Sequence, residues 1–205
     1  LVRHGFVYKN EWSIQNRVYL ENDTVYGIYD QLNIDSNFTR DQFQLARINN
    51  SGGYFLKSRF FSAEALIQHG YWRFQNLARN RDTNEVEFQG NVGFNLGNLR
   101  LTNQLSVNLA GALGEWKNTL NAVLRLKSWD HSVNFSTGQA LPSPFQREYF
   151  ANNHSWKTQN LSTQGVTSLN YKFQNKSRFD FSGQVGWKQL NNTYFLIDSA
   201  WRNDT

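Results

Sequence analysis

Four histidines are the side chains of this sequence with the widest chemical range, because imidazole can bind a metal or transfer a proton near neutral pH. They are His4, His69, His131 and His154. None stands in a His-Glu-x-x-His spacing, and the chain has no cysteine, so neither a metalloprotease-type zinc site nor a thiolate site is supported. We expect these histidines among the aromatic residues at strand ends or in loops, and we expect no bound metal.

A hydrolase arrangement is the second possibility, because His154 and Ser155 follow Asn152 and Asn153. Some outer-membrane barrels carry Ser-His-Asn sites near the rim, but neighbouring residues in one loop establish no hydrogen bond between the three groups. The oxygen-rich segment 79–85 lacks the residue order of a calcium loop. Phosphate-binding loops, dinucleotide fingerprints and nucleophile elbows are absent from the sequence. We therefore expect no catalytic residue, no cofactor and no enzyme.

The composition narrows the class of protein. The 205 residues are 39% apolar, 16% aromatic and 18% charged, which is enough apolar material for an ordered chain. No stretch approaches the roughly 18 apolar residues of a membrane-spanning helix. The net charge of +5 arises from scattered residues without a basic run, so we expect no nucleic-acid partner. With 26 Asn and 15 Gln, the polar surface is mostly neutral.

Alternation with a period of two is the main structural signal, and it is clearest from Glu85 to Ala110. The apolar parity holds Val86, Phe88, Val92, Phe94 and Leu96, and the polar parity holds Glu85, Glu87, Gln89, Asn91 and Asn95. Gly97-Asn98 predicts a two-residue hairpin turn. The predicted register pairs Leu96 with Leu99, Phe94 with Leu101, Phe88 with Val107 and Val86 with Leu109.

About twelve strands follow from the same pattern elsewhere. The other strands are predicted at residues 2–8, 12–20, 24–34, 41–48, 54–74, 119–127, 131–139, 161–173, 179–187 and 193–201. A change of phase at Phe60-Phe61 predicts a β-bulge in the long segment. Tight turns are predicted at residues 21–23, 49–53, 97–98, 128–130 and 174–177, with short connections at 10–11 and 191–192. Longer loops are predicted at residues 35–40, 75–84, 111–118 and 140–159.

Strand length separates two interpretations of this pattern. Several predicted strands have nine to fourteen residues, whereas soluble sheets usually have about five or six and a bilayer is crossed by about nine to eleven tilted residues. Aromatic residues near strand ends resemble the girdles of outer-membrane barrels. We predict one all-β domain over residues 1–205, an antiparallel up-and-down meander forming a transmembrane β-barrel or part of one. A soluble β-sheet glycan-binding module is the alternative.

One loop, residues 141–156, carries a family resemblance. Its distinctive residues are Pro142, Pro144, Phe145, Tyr149, Asn153, His154 and Trp156. The loop resembles the corresponding segment of the putative porin family of Bacteroidota. That resemblance implies a longer outer-membrane barrel with a general pore role and no catalytic residue, so this chain is expected to be a fragment of such a barrel.

The polar parity supplies the predicted lining of a passive pore for small hydrophilic solutes. The predicted pore-lining residues are Glu87, Gln89, Asn91, Asn95, Arg100, Gln104, Ser106, Asn108, Asn121, Arg125, Gln164, Lys172, Asp180, Gln184 and Lys188. Cations outnumber carboxylates among them, which predicts a weak preference for anions. The expected partners are outer-membrane lipid, lipopolysaccharide and the solutes. Part of a non-porin barrel, namely a transporter, a secretion channel or a rim hydrolase, is a further alternative.

Overall fold

In the part of the chain that the structure describes, the regular structure consists of β-strands. The computed structural model describes residues 1–21, 39–75, 80–142, 148–150, 155–157, 161–177, 181–197 and 200–203. In these ranges the strands are β1 (Arg3–Glu21), β2 (Thr39–Lys57), β3 (Phe61–Gln75), β4 (Asn80–Leu96), β5 (Leu99–Ala110), β6 (Trp116–Arg125), β7 (Trp129–Ala140), β8 (Glu148–Phe150), β9 (Ser155–Lys157), β10 (Gln164–Asn175), β11 (Ser182–Asn191), β12 (Tyr194–Ile197) and β13 (Ala200–Asn203). A helix able to span a membrane is not found in the ranges described.

Nine of these strands form one sheet in the order β1-β2-β3-β4-β5-β6-β7-β10-β11. Every neighbouring pair in it is antiparallel. Two small hairpins, β8-β9 and β12-β13, complete the described strands. Within the described part of the chain the sheet is open, with β1 and β11 at its edges. The predicted all-β antiparallel meander is therefore confirmed.

The hairpin around Gly97-Asn98 forms as predicted. Gly97 has a φ of 64°, which suits a tight turn with glycine at its first central position. Leu96 pairs with Leu99, and the predicted register holds as far as Phe88 and Val107. The register then shifts between Val86 and Glu87, so Val86 pairs with Ala110 and its predicted partner Leu109 is wrong.

The first two strands are longer than predicted. Residues 2–8 and 12–20 belong to one strand, β1, so the predicted connection at residues 10–11 is wrong. Likewise the predicted turn at residues 49–53 lies inside β2. Asn50 there accepts hydrogen bonds from Tyr8 (2.9 Å) and Asn10 (2.7 Å) of β1. A Cβ on Gly53 would overlap the carbonyl oxygen of Ala65, so glycine lets β2 and β3 approach closely.

The predicted β-bulge at Phe60-Phe61 is also wrong, because the chain reverses there between β2 and β3. Ser58 organises this turn. Its amide donates to the carbonyl of Phe61 at 2.7 Å, and its hydroxyl accepts from the Phe61 amide at 3.0 Å. The change of phase in the sequence therefore marks the end of one strand and the start of another.

Several predicted loops are shorter than expected because strands extend into them. β3 ends at Gln75 and β4 starts at Asn80, while β6 starts at Trp116, inside the predicted loop 111–118. The turn predicted at residues 128–130 lies at 126–128. The predicted strand 24–34 lies outside the described residues, as does most of loop 140–159 apart from β8 and β9.

The connections alternate between two ends of the sheet. The turn end, defined by residues 97–98, also carries 58–60, 126–128 and 176–181, whereas the loop end carries 22–38, 76–79, 111–115 and 141–163. The two longest connections lie at the loop end, as expected for an outer-membrane meander. The described part of the chain has little conventional core, since its buried apolar side chains are only Leu66, Phe74, Ala112 and Pro142.

Candidate functional site

The register divides the large sheet into two faces, because residues directly opposite each other in an antiparallel ladder point to the same side. One side, the apolar face, carries nearly all the exposed large apolar side chains of the sheet. They are Phe6, Tyr8, Trp12, Ile14, Val18, Ile48, Tyr54, Leu56, Ile67, Val92, Phe94, Leu96, Leu120, Leu124, Val133, Phe135, Leu169, Val185 and Trp187. Phe6 is 89% exposed and Trp12 is 74% exposed. Leu190 is an exposed exception on the other side.

The opposite side, the polar face, carries the residues that alternation selected. The register places on it Glu87, Gln89, Asn91, Asn95, Arg100, Gln104, Ser106, Asn108, Asn121, Arg125, Gln164, Lys172, Gln184 and Lys188. Asp180 lies outside the described residues. Alternation thus brings these residues to one surface of the sheet, and their role in lining a pore stays a prediction.

Sequence reasoning missed several charged members of this face. Lys9 and Glu64 were missed because β1 and β3 were divided wrongly, and Lys117 because its segment was expected to be a loop. Arg47 was missed although it lies within the predicted strand 41–48. The signal was nevertheless present for Glu64, which alternates with the apolar residues of β3. For Lys117 the polar parity of β6 only needed to be continued two residues further back.

The polar face is hollow between β1 and β6. A cavity of about 380 Å³ lies there, with Lys9, Glu64, Glu87 and Lys117 among its lining residues. Lys9 on β1 reaches across β2 to place its Nζ 3.3 Å from a carboxylate oxygen of Glu64 on β3. The two side chains thus meet over β2, although β1 and β3 are not neighbours in the sheet.

On the polar face of the first four strands, two cations, Lys9 and Arg47, have identified partners. Besides the Lys9–Glu64 ion pair, the Arg47 guanidinium lies over the Trp72 ring, 4.0 Å from its centroid. The same guanidinium donates from Nε to Asn49 Oδ1 at 2.8 Å. Lys9 and Arg47 therefore each have a carboxylate, a π-face or an amide oxygen close by.

On the polar face of the other strands of the sheet, the charged groups apart from Asp130 are cations. Arg100, Lys117, Arg125, Lys172 and Lys188 lie on the polar face of β5, β6, β10 and β11 and have no ion-pair partner among the described residues. Asp130, the carboxylate of this half, forms an ion pair with Lys176. The surface between the cations is neutral and hydrophilic. Asn121, Asn134 and Asn170 stand directly opposite one another, and Thr119 and Ser136 hydroxyls are 3.2 Å apart.

The apolar band runs obliquely across the sheet. On β11 its last aromatic towards the loop end is Trp187, which shares a row with Ala63 of β3. On β3 the corresponding aromatic is Tyr71, eight residues beyond Ala63. The boundary therefore shifts by eight residues over six steps between strands. With about 3.4 Å per residue and about 4.8 Å between strands, this slope corresponds to an angle of about 40°.

The described histidines lie on the apolar face, where each bonds to a neighbouring side chain. His4 Nδ1 is 2.6 Å from the Tyr54 hydroxyl, His131 Nδ1 is 2.7 Å from the Tyr171 hydroxyl, and His69 Nε2 is 3.0 Å from Asn84 Oδ1. Across the described ranges no three His, Asp or Glu side chains could hold a metal together. His154 lies outside these ranges.

The loop with distinctive residues contains a short hairpin. Its strands β8 and β9 pair so that Tyr149 stands directly opposite Trp156. Pro142 is buried at the end of β7. Pro144, Phe145, Asn153 and His154 lie outside the described residues.

The chain matches a family model described as "Putative porin" over residues 2–201. No curated protein and no solved structure matches the chain.

Proposed function

The chain belongs to the putative porin family, and from that premise we propose that it is an outer-membrane β-barrel, or part of one, that forms a passive diffusion pore for small hydrophilic solutes. Outer-membrane lipid and lipopolysaccharide would surround its apolar face, and water and solutes would contact its polar face. No catalytic step is proposed.

The observation that carries the proposal is the exposed apolar face. A soluble sheet covers such a face with a second layer, yet no layer covers Phe6, Trp12 or Val185 in the part of the chain that the structure describes. Large side chains in contact with water would lose roughly 1.5 to 3 kcal/mol each relative to an apolar environment. Contact with lipid removes that cost, so the face suits a bilayer.

The slope of the apolar band gives independent support. Strands of outer-membrane barrels tilt by about 35–45° from the membrane normal, so the lipid-exposed segment of each strand is displaced along its neighbour. The band between Tyr71 and Trp187 slopes by about 40° on the same geometry. A sandwich packs its two inner faces along nearly aligned strands and does not need this displacement.

The mechanism of such a pore needs only a hydrated wall. Amides and hydroxyls on the polar face offer hydrogen bonds that replace those a solute loses with water. Fixed charges attract counter-ions and exclude ions of the same sign, and unpaired Arg100 and Lys172 make this wall net positive. The pore should therefore favour anions weakly.

The test is purification of the complete protein followed by planar-bilayer recording. We expect extraction only with detergent and stepwise increases in conductance on insertion. A protein that stays monodisperse in water without detergent would contradict the membrane assignment and favour the soluble glycan-binding module. Stable insertion without conductance would contradict the pore.

Single cysteines provide a test of topology that does not depend on conductance. Asn98 lies at the turn end and Leu113 in the connection 111–115 at the loop end. Cysteines at these two positions should label from opposite sides of the membrane with an impermeant reagent. Labelling from the same side would refute the spanning meander.

A further inference from the structure

A second hollow of the polar face lies over β6, β7, β10 and β11, and it differs in charge from the hollow near β1. It has a volume of about 650 Å³ and is lined by Lys117 of β6 and Lys188 of β11, the first and last of the four strands. Neither ammonium has a carboxylate partner in the described part of the chain. No Asp or Glu is among the lining residues. The cavity is thus flanked by two unneutralised positive charges.

The surface between the two lysines carries no charge, and it combines the polar side chains of Ser136, Ser168 and Asn170 with the apolar side chains of Ala140 and Val166. Ser136 and Ser168 stand directly opposite each other, and Lys188 is directly opposite Ser168. Asn170 also lines the cavity, while Gly138 contributes no side chain. Hydroxyl and amide groups can both donate and accept hydrogen bonds, so this floor suits a hydroxylated molecule.

We propose that this two-lysine cavity is a subsite for sugar-like solutes that carry an oxyanion, either a phosphate or a carboxylate. The lysines bind the oxyanion, and the Ser and Asn side chains bind the hydroxyl groups. The volume lies within the range of about 300–1,000 Å³ that small-molecule sites occupy. The inference rests on the proposed pore function, because the cavity would be a binding site along the pore through which the solute permeates.

The hollow near β1 is the natural comparison within the same face. Glu64 and Glu87 line it together with Lys9 and Lys117, and Lys9 is already paired with Glu64. An oxyanion entering it would meet carboxylates and compete with Glu64 for the ammonium. The cavity between Lys117 and Lys188 has no carboxylate among its lining residues and no ion pair that an anion would have to displace. We therefore assign the anion to this cavity.

The experiment measures block of the ion current through the complete protein by glucose 6-phosphate, with glucose as the neutral control. Glucose 6-phosphate should reduce the current of the unmodified protein at concentrations at which glucose does not. Lys117→Gln and Lys188→Gln should each raise the half-blocking concentration by about tenfold, since each removes one charge-assisted hydrogen bond. Lys172→Gln, which removes a cation of the same face outside the cavity, should change it less than twofold.

Calorimetric titration of the detergent-solubilised protein with glucose 6-phosphate separates the subsite from the pore. Binding heat that is lost in Lys117→Gln and Lys188→Gln supports the subsite even if no current is recorded. Absence of current would contradict only the proposed pore. Conductance without block and without binding heat would overturn the subsite alone. Equal losses in Lys172→Gln would also overturn it, because the effect would then be general electrostatics. Equally tight binding of inorganic phosphate would overturn the role of the hydroxyl floor.

Discussion

The two halves of the polar face handle charge in different ways. On β1–β4 the charged groups are mixed in sign, and Lys9 and Arg47 are engaged with Glu64 and with Trp72 and Asn49. On the sheet strands β5, β6, β7, β10 and β11 the charged groups are nearly all cations, and the one carboxylate on these strands, Asp130, is paired with Lys176. Two unit charges of opposite sign a few ångströms apart largely cancel at a distance, whereas charges of one sign add. The strands from β5 onwards should therefore dominate the electrostatic field over the polar face.

The charges of the two halves can act on solutes only if the polar face contacts water and the apolar face contacts lipid. A charge placed on the apolar face tests this and should have the largest effect. Val92→Arg places a charge on the apolar face, within the run of apolar residues from Val86 to Leu96 of β4, and should destabilise the membrane-inserted protein by about 2–4 kcal/mol. The measurement is a urea titration of protein folded into lipid vesicles.

The matched control is Asn91→Arg, at the next residue of the same strand. Its side chain lies on the polar face opposite Glu64, so the new guanidinium meets water and a carboxylate. We expect a change within about 0.5 kcal/mol, as for an ordinary surface substitution. Equal losses at both positions would show that the two faces are not distinguished as the register implies.

Charge reversal tests which half controls selectivity. Arg100→Glu combined with Lys172→Glu replaces two unpaired cations by carboxylates and should convert the weak anion preference into a cation preference. The neutralised pair Lys9→Gln with Glu64→Gln, in the other half, should leave the reversal potential nearly unchanged. Both are measured in planar bilayers under a salt gradient. If the Lys9 and Glu64 substitutions shifted the reversal potential more than the Arg100 and Lys172 substitutions, the first half and not the second would control selectivity.

Salt should reduce the anion preference of the unmodified protein. The Debye length falls from about 10 Å at 0.1 M to about 3 Å at 1 M, so the summed field of separated cations is screened. Reversal potentials measured at a fixed concentration ratio, from low to high total salt, should move towards zero. A preference that is independent of salt would argue for tightly bound ions in place of a diffuse field.

The smallest expected effect concerns the ion pair of the first half. Lys9 and Glu64 side chains are 49% and 28% exposed, so their coupling is screened by water. A double-mutant cycle with Lys9→Ala and Glu64→Ala should give a coupling of about 0.2–1 kcal/mol. A coupling several times larger would mean that the first half is drier than its exposure implies. The contrast between the halves would then need to include solvation.

Much of the site could be predicted because alternation is a local property. A strand sends consecutive side chains to opposite sides whatever its neighbours are, so the sequence of β4 and β5 alone assigned Gln89 and Gln104 to one face. The turn at Gly97-Asn98 also determined the register of these two strands from Leu96 and Leu99 as far as Phe88 and Val107, since a two-residue loop leaves only one pairing next to it.

Strand boundaries in the first half needed the tertiary structure. The run Asn49-Asn50-Ser51-Gly52-Gly53 has the composition of a turn, and propensity alone predicts one. In the sheet this run is paired on both sides, with β1 and with β3. Hydrogen bonds to two neighbouring strands outweigh a weak local preference, and local sequence carries no information about those neighbours.

The sequence by itself determined that the chain is an antiparallel meander with one apolar and one polar face, because the alternation of apolar and polar residues can be recognised from consecutive residues alone. Only the tertiary structure decided which charges are paired. Lys9 and Glu64 are 55 positions apart in the chain, and Asp130 pairs with Lys176 of another hairpin. Such pairs depend on the lateral register and curvature of the sheet, which arise from contacts between distant strands. The unpaired lysines at positions 117 and 188 could be recognised only once those pairs were known.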